Sequence, residues 1–295
     1  MNEEEPLYGA IEAGGSKFRV AIANGPRPIA ETTIPTTSPG DTIDAVVDFL
    51  RASGRQLEAV GIAAFGPLDL DPSSKTYGSI TQTPKPGWSG TPLKERIETA
   101  LGVPVTIETD VGGAALGEWR LGAARGLGTF VYLTVGTGIG GGLIINGRLH
   151  HGLGHPEMGH IAVAREPGDD FDGVCPFHRT CLEGMASGPA ISARWGKSTP
   201  ELREHPKAWQ LEARYLAQAL RTYMYVIAPQ RFILGGGVME QDGLLGLVRD
   251  ELLRELAHYG PGPASLAEYV VAPELGQDAG LIGALALAQR TSPAA

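Results

Sequence analysis

Cysteine is nearly absent from this sequence: its 295 residues include two, Cys175 and Cys181. That excludes a disulfide-stapled extracellular scaffold, which needs several bridges to make up for a small core. Long hydrophobic runs are missing too, and none approaches the roughly 20 residues of a membrane helix. Positive charge is in short supply. Lys and Arg number 24 against 33 Asp and Glu, giving a formal net charge of −9, and no Lys/Arg run occurs. A nucleic-acid partner, which requires a basic face, is therefore not expected. The opening MNEEEPL is acidic where a secretory signal would be basic, so the expected location is the cytoplasm.

Glycine is abundant instead. There are 42, about twice the usual share of roughly 7%, which implies many turns or close ligand approaches. The length suits two domains, each with its own core. LYGAIEA, Gly14-Gly15-Ser16 and KFRVAIA read as a β-hairpin. Residues 41–53 carry apolar positions at helical spacing and are followed by the strand-like LEAVGIAAF. Segment 92–101 repeats the helical pattern, and VPVTIET is a strand ending at Asp110. This alternation is α/β. A second strand–glycine–strand unit, FVYLTVGTGIGGGLIINGRL, suggests two related halves. A long amphipathic helix is expected over 208–228, then the strand RFIL running into Gly235-Gly236-Gly237, an Ala/Leu-rich final helix and a fraying SPAA.

The segment HPEMGHIAVAREPGDDFDGVCPFHRTCLEGMAS concentrates ligand chemistry. His160, Cys175, His178 and Cys181 supply an N2S2 set that suits a closed, structural zinc site, and both cysteines of the chain take part in it. Two buried free thiols, or a Cys175–Cys181 disulfide, are the alternatives. Glu157 and Glu183 lie three and two residues from the outer ligands, so a metal holding the loop would also hold two carboxylates.

Other motifs read as follows. Gly14-Gly15-Ser16, with Lys17 beside it, is either a bare turn or a place where backbone amides meet a phosphate. The run from Gly136 through Thr137 and Gly138 to Gly142 is neither a Walker A loop nor a dinucleotide fingerprint, because no Lys-Ser/Thr follows and it leads into a strand. Asp110, between a strand and a helix, either caps that helix or presents a carboxylate at the strand's end. Trp88 is either core or a platform for a ligand.

EAGGSK, TDVGGAALGEW, TVGTGIGGGLIINGRLHHG, HPEMGHIAV, CPFHRTCLEGMASGPAI, FILGGGVM and QDAGLIGA, in that order and covering nearly the whole chain, resemble the ROK family of sugar kinases in the hexokinase/actin-like ATPase superfamily, and its fructokinase branch in particular. The resemblance implies a two-domain α/β, actin-like ATPase (ribonuclease H-like) fold with a cleft between domains. A smaller domain would span 1–118 and a larger one, carrying the zinc loop, 119–295, with the final helix packing back on the first. It implies ATP, Mg²⁺ and structural Zn²⁺, and phosphorylation of a free hexose, D-fructose foremost, to the 6-phosphate. Glucokinase, mannokinase or N-acetylhexosamine kinase activity are the alternatives, as is a sugar-sensing repressor, for which no helix-turn-helix precedes the first turn.

By the same resemblance Asp110 is the general base. Gly66, Pro67, Thr109, Glu157, His160 and Glu183 contact the sugar, while Gly14, Gly15, Ser16, Lys17, Thr137, Gly138, Gly235, Gly236 and Gly237 contact the nucleotide. Glu12 stands where the family usually has Asp, Thr109 where many relatives have Asn, and His178 where many have a third Cys. A homodimer is implied as well.

Overall fold

In the strand Ala59–Ala64 the larger residues Val60 and Ile62 point to one face of the sheet and Ala59, Gly61 and Ala63 to the other, so the two faces accept helices at different distances. The computed structural model describes residues 5–259 and 265–291; the terminal SPAA lies outside them. The chain forms two compact units, one of Met1–Arg125, His151–His155 and Gln277–Ala295, the other of Gly126–His150 and Pro156–Gly276.

In unit 1, β1 (Tyr8–Ala13) and β2 (Lys17–Ala23) make the expected antiparallel hairpin, closed where the Gly14 N–H meets the Lys17 carbonyl at 3.0 Å. β3 (Ala30–Pro35) extends it. α1 (Pro39–Arg51) starts two residues before the expected Asp41: the Ser38 hydroxyl accepts from the Asp41 N–H at 3.2 Å, and Pro39 occupies the first turn, where its missing amide hydrogen loses no partner. β4 (Ala59–Ala64), α2 (Leu93–Leu101), β5 (Val105–Thr109) and α3 (Asp110–Leu121) follow, giving the sheet order β3-β2-β1-β4-β5 with β1, β4 and β5 parallel. The strand expected to end at Asp110 ends at Thr109, and Asp110 is already helical. Trp88 is core: it is fully buried against Phe18 and Phe65, and its indole N–H donates to the Thr37 carbonyl at 2.9 Å.

Unit 2 repeats the plan. β6 (Phe130–Val135) and β7 (Ile139–Ile145) form an antiparallel hairpin extended by β8 (Arg148–Leu149). After α4 (Leu182–Ala186), α5 (Gly188–Trp195) and α6 (Pro206–Ile227) come β9 (Phe232–Gly235), α7 (Leu244–Leu256), α8 (Leu266–Tyr269) and β10 (Val270–Val271). The order β10-β9-β6-β7-β8, with β6, β9 and β10 parallel, reproduces the strand order and directions of the first sheet. Tyr215, Leu216 and Leu220 of α6 bury its apolar face in a core with Leu133 and Phe232.

The chain then returns to unit 1 as α9 (Ala279–Thr291). On one face of the first sheet, Ile11, Val60 and Ile62 pack against Val46 and Leu50 of α1 and Ile97 of α2. The other face presents Ala10, Ala59 and Ala63, and there Leu281, Ala284 and Leu285 of α9 lie close. Backbones nearly touch: a Cβ on Gly283 would stand 1.7 Å from the Gly113 carbonyl oxygen of α3, and one on Gly61 would stand 1.9 Å from the Ala284 oxygen. Among the described residues no helix is long and apolar enough to cross a membrane.

Gly283→Ala gives this packing a test whose sign is decisive. In an open helix the change would stabilise by about 1 kcal/mol through propensity; against the α3 backbone it is expected to destabilise by about 2 kcal/mol or more. Urea denaturation of the variant measures which term wins.

Candidate functional site

Asp110 owes its setting to the residue before it. The Thr109 hydroxyl caps α3 by accepting from the Gly112 N–H at 3.0 Å, so the cap that Asp110 was considered for is already filled. One Asp110 oxygen accepts from the Val111 N–H at 2.8 Å. The residue still reaches solvent, while protein around the carboxyl removes enough water to raise its pKa above the ordinary carboxylate range; the Val111 bond and the charge of His155 oppose the rise. A carboxylate that is solvent-reachable and raised toward neutrality can accept a proton from a bound hydroxyl.

Glu12, one residue before the end of β1, is pushed up to about 6, by burial first and also by Asp110, against the pull of Arg19 and Lys17. Arg19 holds it: Nη1 donates to Glu12 Oε2 at 3.4 Å and to the Gln277 carbonyl at 2.6 Å, while Nη2 meets Asp278 at 2.7 Å. Sequence reasoning passed over Arg19, although Glu12 lies directly opposite it in the hairpin register. In the Gly14–Ser16 turn, a Cβ on Gly14 would meet the Lys17 carbonyl at 2.8 Å, whereas Gly15 faces open space and lacks a positive φ. The fold requires glycine at the first position and would admit a side chain at the second. Gly66–Pro67, joined by a cis peptide bond, follows β4, which is bonded to both β1 and β5.

Unit 2 brings its own glycine turns together. Gly136 N–H meets the Gly138 carbonyl at 2.9 Å, closing the β6–β7 turn with Thr137 at its exposed tip. Gly236, at φ 91°, leaves no room for a Cβ, which would sit 2.4 Å from the Val135 oxygen at the end of β6. Gly235–Gly237 therefore lies beside Gly136. Glu183 is found elsewhere than a free carboxylate would be: one oxygen accepts from the Ile139 N–H at 2.9 Å and braces the turn from below. Glu157 is exposed, and its carbonyl accepts from the His160 N–H at 3.0 Å.

His160, Cys175, His178 and Cys181 do converge, with ligand atoms all within 4.8 Å of one another. His160 Nδ1 stands 3.5 Å from Cys181 Sγ and 3.9 Å from Cys175 Sγ, and His178 Nδ1 stands 3.9 Å from Cys175 Sγ. Zinc bonds of about 2.3 Å to sulfur and about 2.1 Å to nitrogen at tetrahedral angles separate S from N by about 3.6 Å, so the donor set fits the ion in kind and spacing. Backbone N–H groups of His178 and Gly184 point at the two sulfurs at 3.4 and 3.5 Å, as they do toward thiolates. The thiols are free. Burial, followed by the neighbouring Cys175, pushes Cys181 up to about 11, a rise that a bound dication would reverse.

The residue that motif reasoning missed most completely is Glu108. It is buried, and its Oε1 meets His151 Nε2 at 2.7 Å. The partners are 43 positions apart, and no local pattern links them.

With this geometry in place, the chain was compared with known proteins. It is 45% identical to a fructokinase of Zymomonas mobilis, covering 98% of each chain, and 30% identical to a glucokinase of Streptomyces coelicolor, covering 96% of this chain and 98% of the relative. The solved ROK hexokinase of Thermus thermophilus superposes with a TM-score of 0.82 at 29% identity, over 96% of this chain and 98% of that one; the fold is thus the actin-like ATPase α/β fold. The ROK family model matches residues 8–291, and the chain belongs to the ROK family.

Proposed function

We propose that this chain is an ATP-dependent fructokinase that transfers the γ-phosphoryl group of ATP to the 6-hydroxyl of fructose. The observation that carries the reading is Asp110, a solvent-reachable carboxylate freed from capping by Thr109 and raised in pKa by its surroundings. Fructose is favoured over glucose because the Zymomonas mobilis fructokinase shares 45% of residues with this chain and the Streptomyces coelicolor glucokinase 30%.

The proposed step needs little covalent chemistry from the protein. The sugar hydroxyl donates its hydrogen bond to Asp110. As its oxygen bonds to the γ-phosphorus, the bond from that phosphorus to the bridging oxygen breaks, ADP leaves, and the proton passes to the Asp110 carboxylate. Mg²⁺ accompanying ATP neutralises phosphate charge, and Glu12 is the carboxylate of unit 1 proposed to face its water shell. Backbone N–H groups of Gly14, Gly15 and Ser16, with Lys17, and of Thr137 and Gly138 are proposed for the phosphates, and Gly235–Gly237 for the adenosine side. Thr109, Gly66, Pro67, Glu157, His160 and Glu183 are proposed sugar contacts. His160 suits a double role, since its Nδ1 faces the sulfurs and its Nε2 is left to donate. Zinc held by His160, Cys175, His178 and Cys181 would be structural, fixing Glu183 and His160 by fixing the loop. A cytoplasmic homodimer belongs to the same reading.

Asp110→Asn should fold and bind fructose while kcat falls by about 10³-fold, within the range of a lost general base; calorimetry with fructose and steady-state kinetics together measure this, and normal turnover would reject the role. Because the base works deprotonated, wild-type kcat should fall as pH drops through the raised Asp110 pKa. Elemental analysis should find about one zinc per chain, and Cys181→Ser should lose both the metal and sugar affinity; unchanged zinc content would reject the site.

A further inference from the structure

The segment His151–His155 interrupts unit 2 in sequence but packs as part of unit 1. Its two end residues are histidines, and neither has a role in the scheme above. His151 Nε2 lies 2.7 Å from Glu108 Oε1, while Glu108 Oε2 accepts from the Thr109 N–H at 3.2 Å, so both oxygens of this carboxylate are engaged immediately before Asp110. The Glu108 side chain is 12% exposed and His151 32%, which shields the pair from much of the solvent. Between the histidines the segment folds on itself, with the Gly152 N–H meeting the Gly154 carbonyl at 2.9 Å. Pro156 then restricts the backbone of His155. At that end, the charge of His155 acts on Asp110. Of the two histidines that end this short turn, one bonds Glu108 and the charge of the other acts on Asp110, the carboxylates on either side of Thr109.

We infer that His151 is a positioning residue for Asp110: by its hydrogen bond to Glu108 it anchors the 151–155 turn so that the His155 ring stands beside the Asp110 carboxylate. The inference rests on Asp110 being the base and adds what sets its working range. The charged groups acting on Asp110 and Glu108 come from several elements. Glu12 of β1 acts on Asp110 and is itself acted on by Arg19 and Lys17 of β2 and by Asp278. Tyr77 is near Glu108, with Lys94 over its ring. His155 is the cation that opposes desolvation of Asp110, so its displacement leaves the carboxyl harder to ionise. The Glu108 bond also raises His151 above the ordinary histidine value, which favours the ion pair; the pair weakens as pH rises through that raised value.

The test is the pH dependence of kcat for the full chain with Mg–ATP and fructose, in wild type, His155→Gln, His151→Ala and His151→Gln. His155→Gln is expected to move the acid limb upward by about one pH unit, the low end of a charge-neighbour effect. His151→Ala should move it the same way. His151→Gln retains a donor for Glu108 and should restore the wild-type limb. A merely structural role would lower the melting temperature and leave the limb in place, and an unmoved limb in His155→Gln or His151→Ala overturns the inference. NMR titration of the His151 ring needs no turnover, so it separates this idea from the assignment of the base. In Glu108→Gln its midpoint should fall toward the ordinary value of about 6.5, and an unmoved midpoint dissolves the pair whatever Asp110 does.

Discussion

A helix backbone can lie directly on another backbone only where no Cβ stands between them, and unit 1 is organised by that condition. Gly61, Gly113, Gly117 and Gly283 are the positions at which β4, α3 and α9 meet, and a methyl group at any of them would fall within 2.4 Å of a neighbouring atom. Dense packing of this kind does not deform smoothly. It fixes where α3 begins relative to β5, and the start of α3 is Thr109 and Asp110. The placement of the proposed base is therefore a consequence of small residues up to two helical turns away, and of a final helix contributed by the far end of the chain.

Electrostatics completes what packing begins. Glu12 near the end of β1, Glu108 near the end of β5 and Asp110 at the start of α3 are three carboxylates to which the protein gives different partners: Arg19, His151 and the field of His155. Glu12 and Asp110 remain raised, the condition in which a site is prepared to meet cationic or proton-donating ligands. In unit 2 the same principle appears with the opposite ligand. Two buried thiols stand beside two imidazoles, a donor set that suits a cation, and Glu183, two residues past the last of them, accepts from the Ile139 amide next to the Gly136–Gly138 turn.

Much of this was legible in the sequence where the physics is local. The two hairpins, their glycine turns and the likeness of the two halves follow from alternation and from Gly-rich punctuation, and the N2S2 set followed from the whole chain having two cysteines. One departure was also local and arose from competition between neighbours, Ser38 outranking Asp41 as the start of α1; at α3, Thr109 took the cap that was one of the two roles open to Asp110. Glu183 was expected to contact the sugar, and one of its oxygens also accepts from the Ile139 amide, a contact across 44 positions. His151 and Glu108 were invisible for the same reason. His151 lies near the end of the motif TVGTGIGGGLIINGRLHHG but nothing in that motif points to Glu108, and only the return of the chain to unit 1 brings the two together.

The central claim is that this protein phosphorylates fructose. Its most direct measurement is ADP release from Mg–ATP with fructose, mannose, glucose and N-acetylmannosamine, each against a blank without sugar. Strong release with fructose above the other three is the predicted result. Release that favours another sugar, or no sugar-dependent release from zinc-loaded protein, would contradict the account.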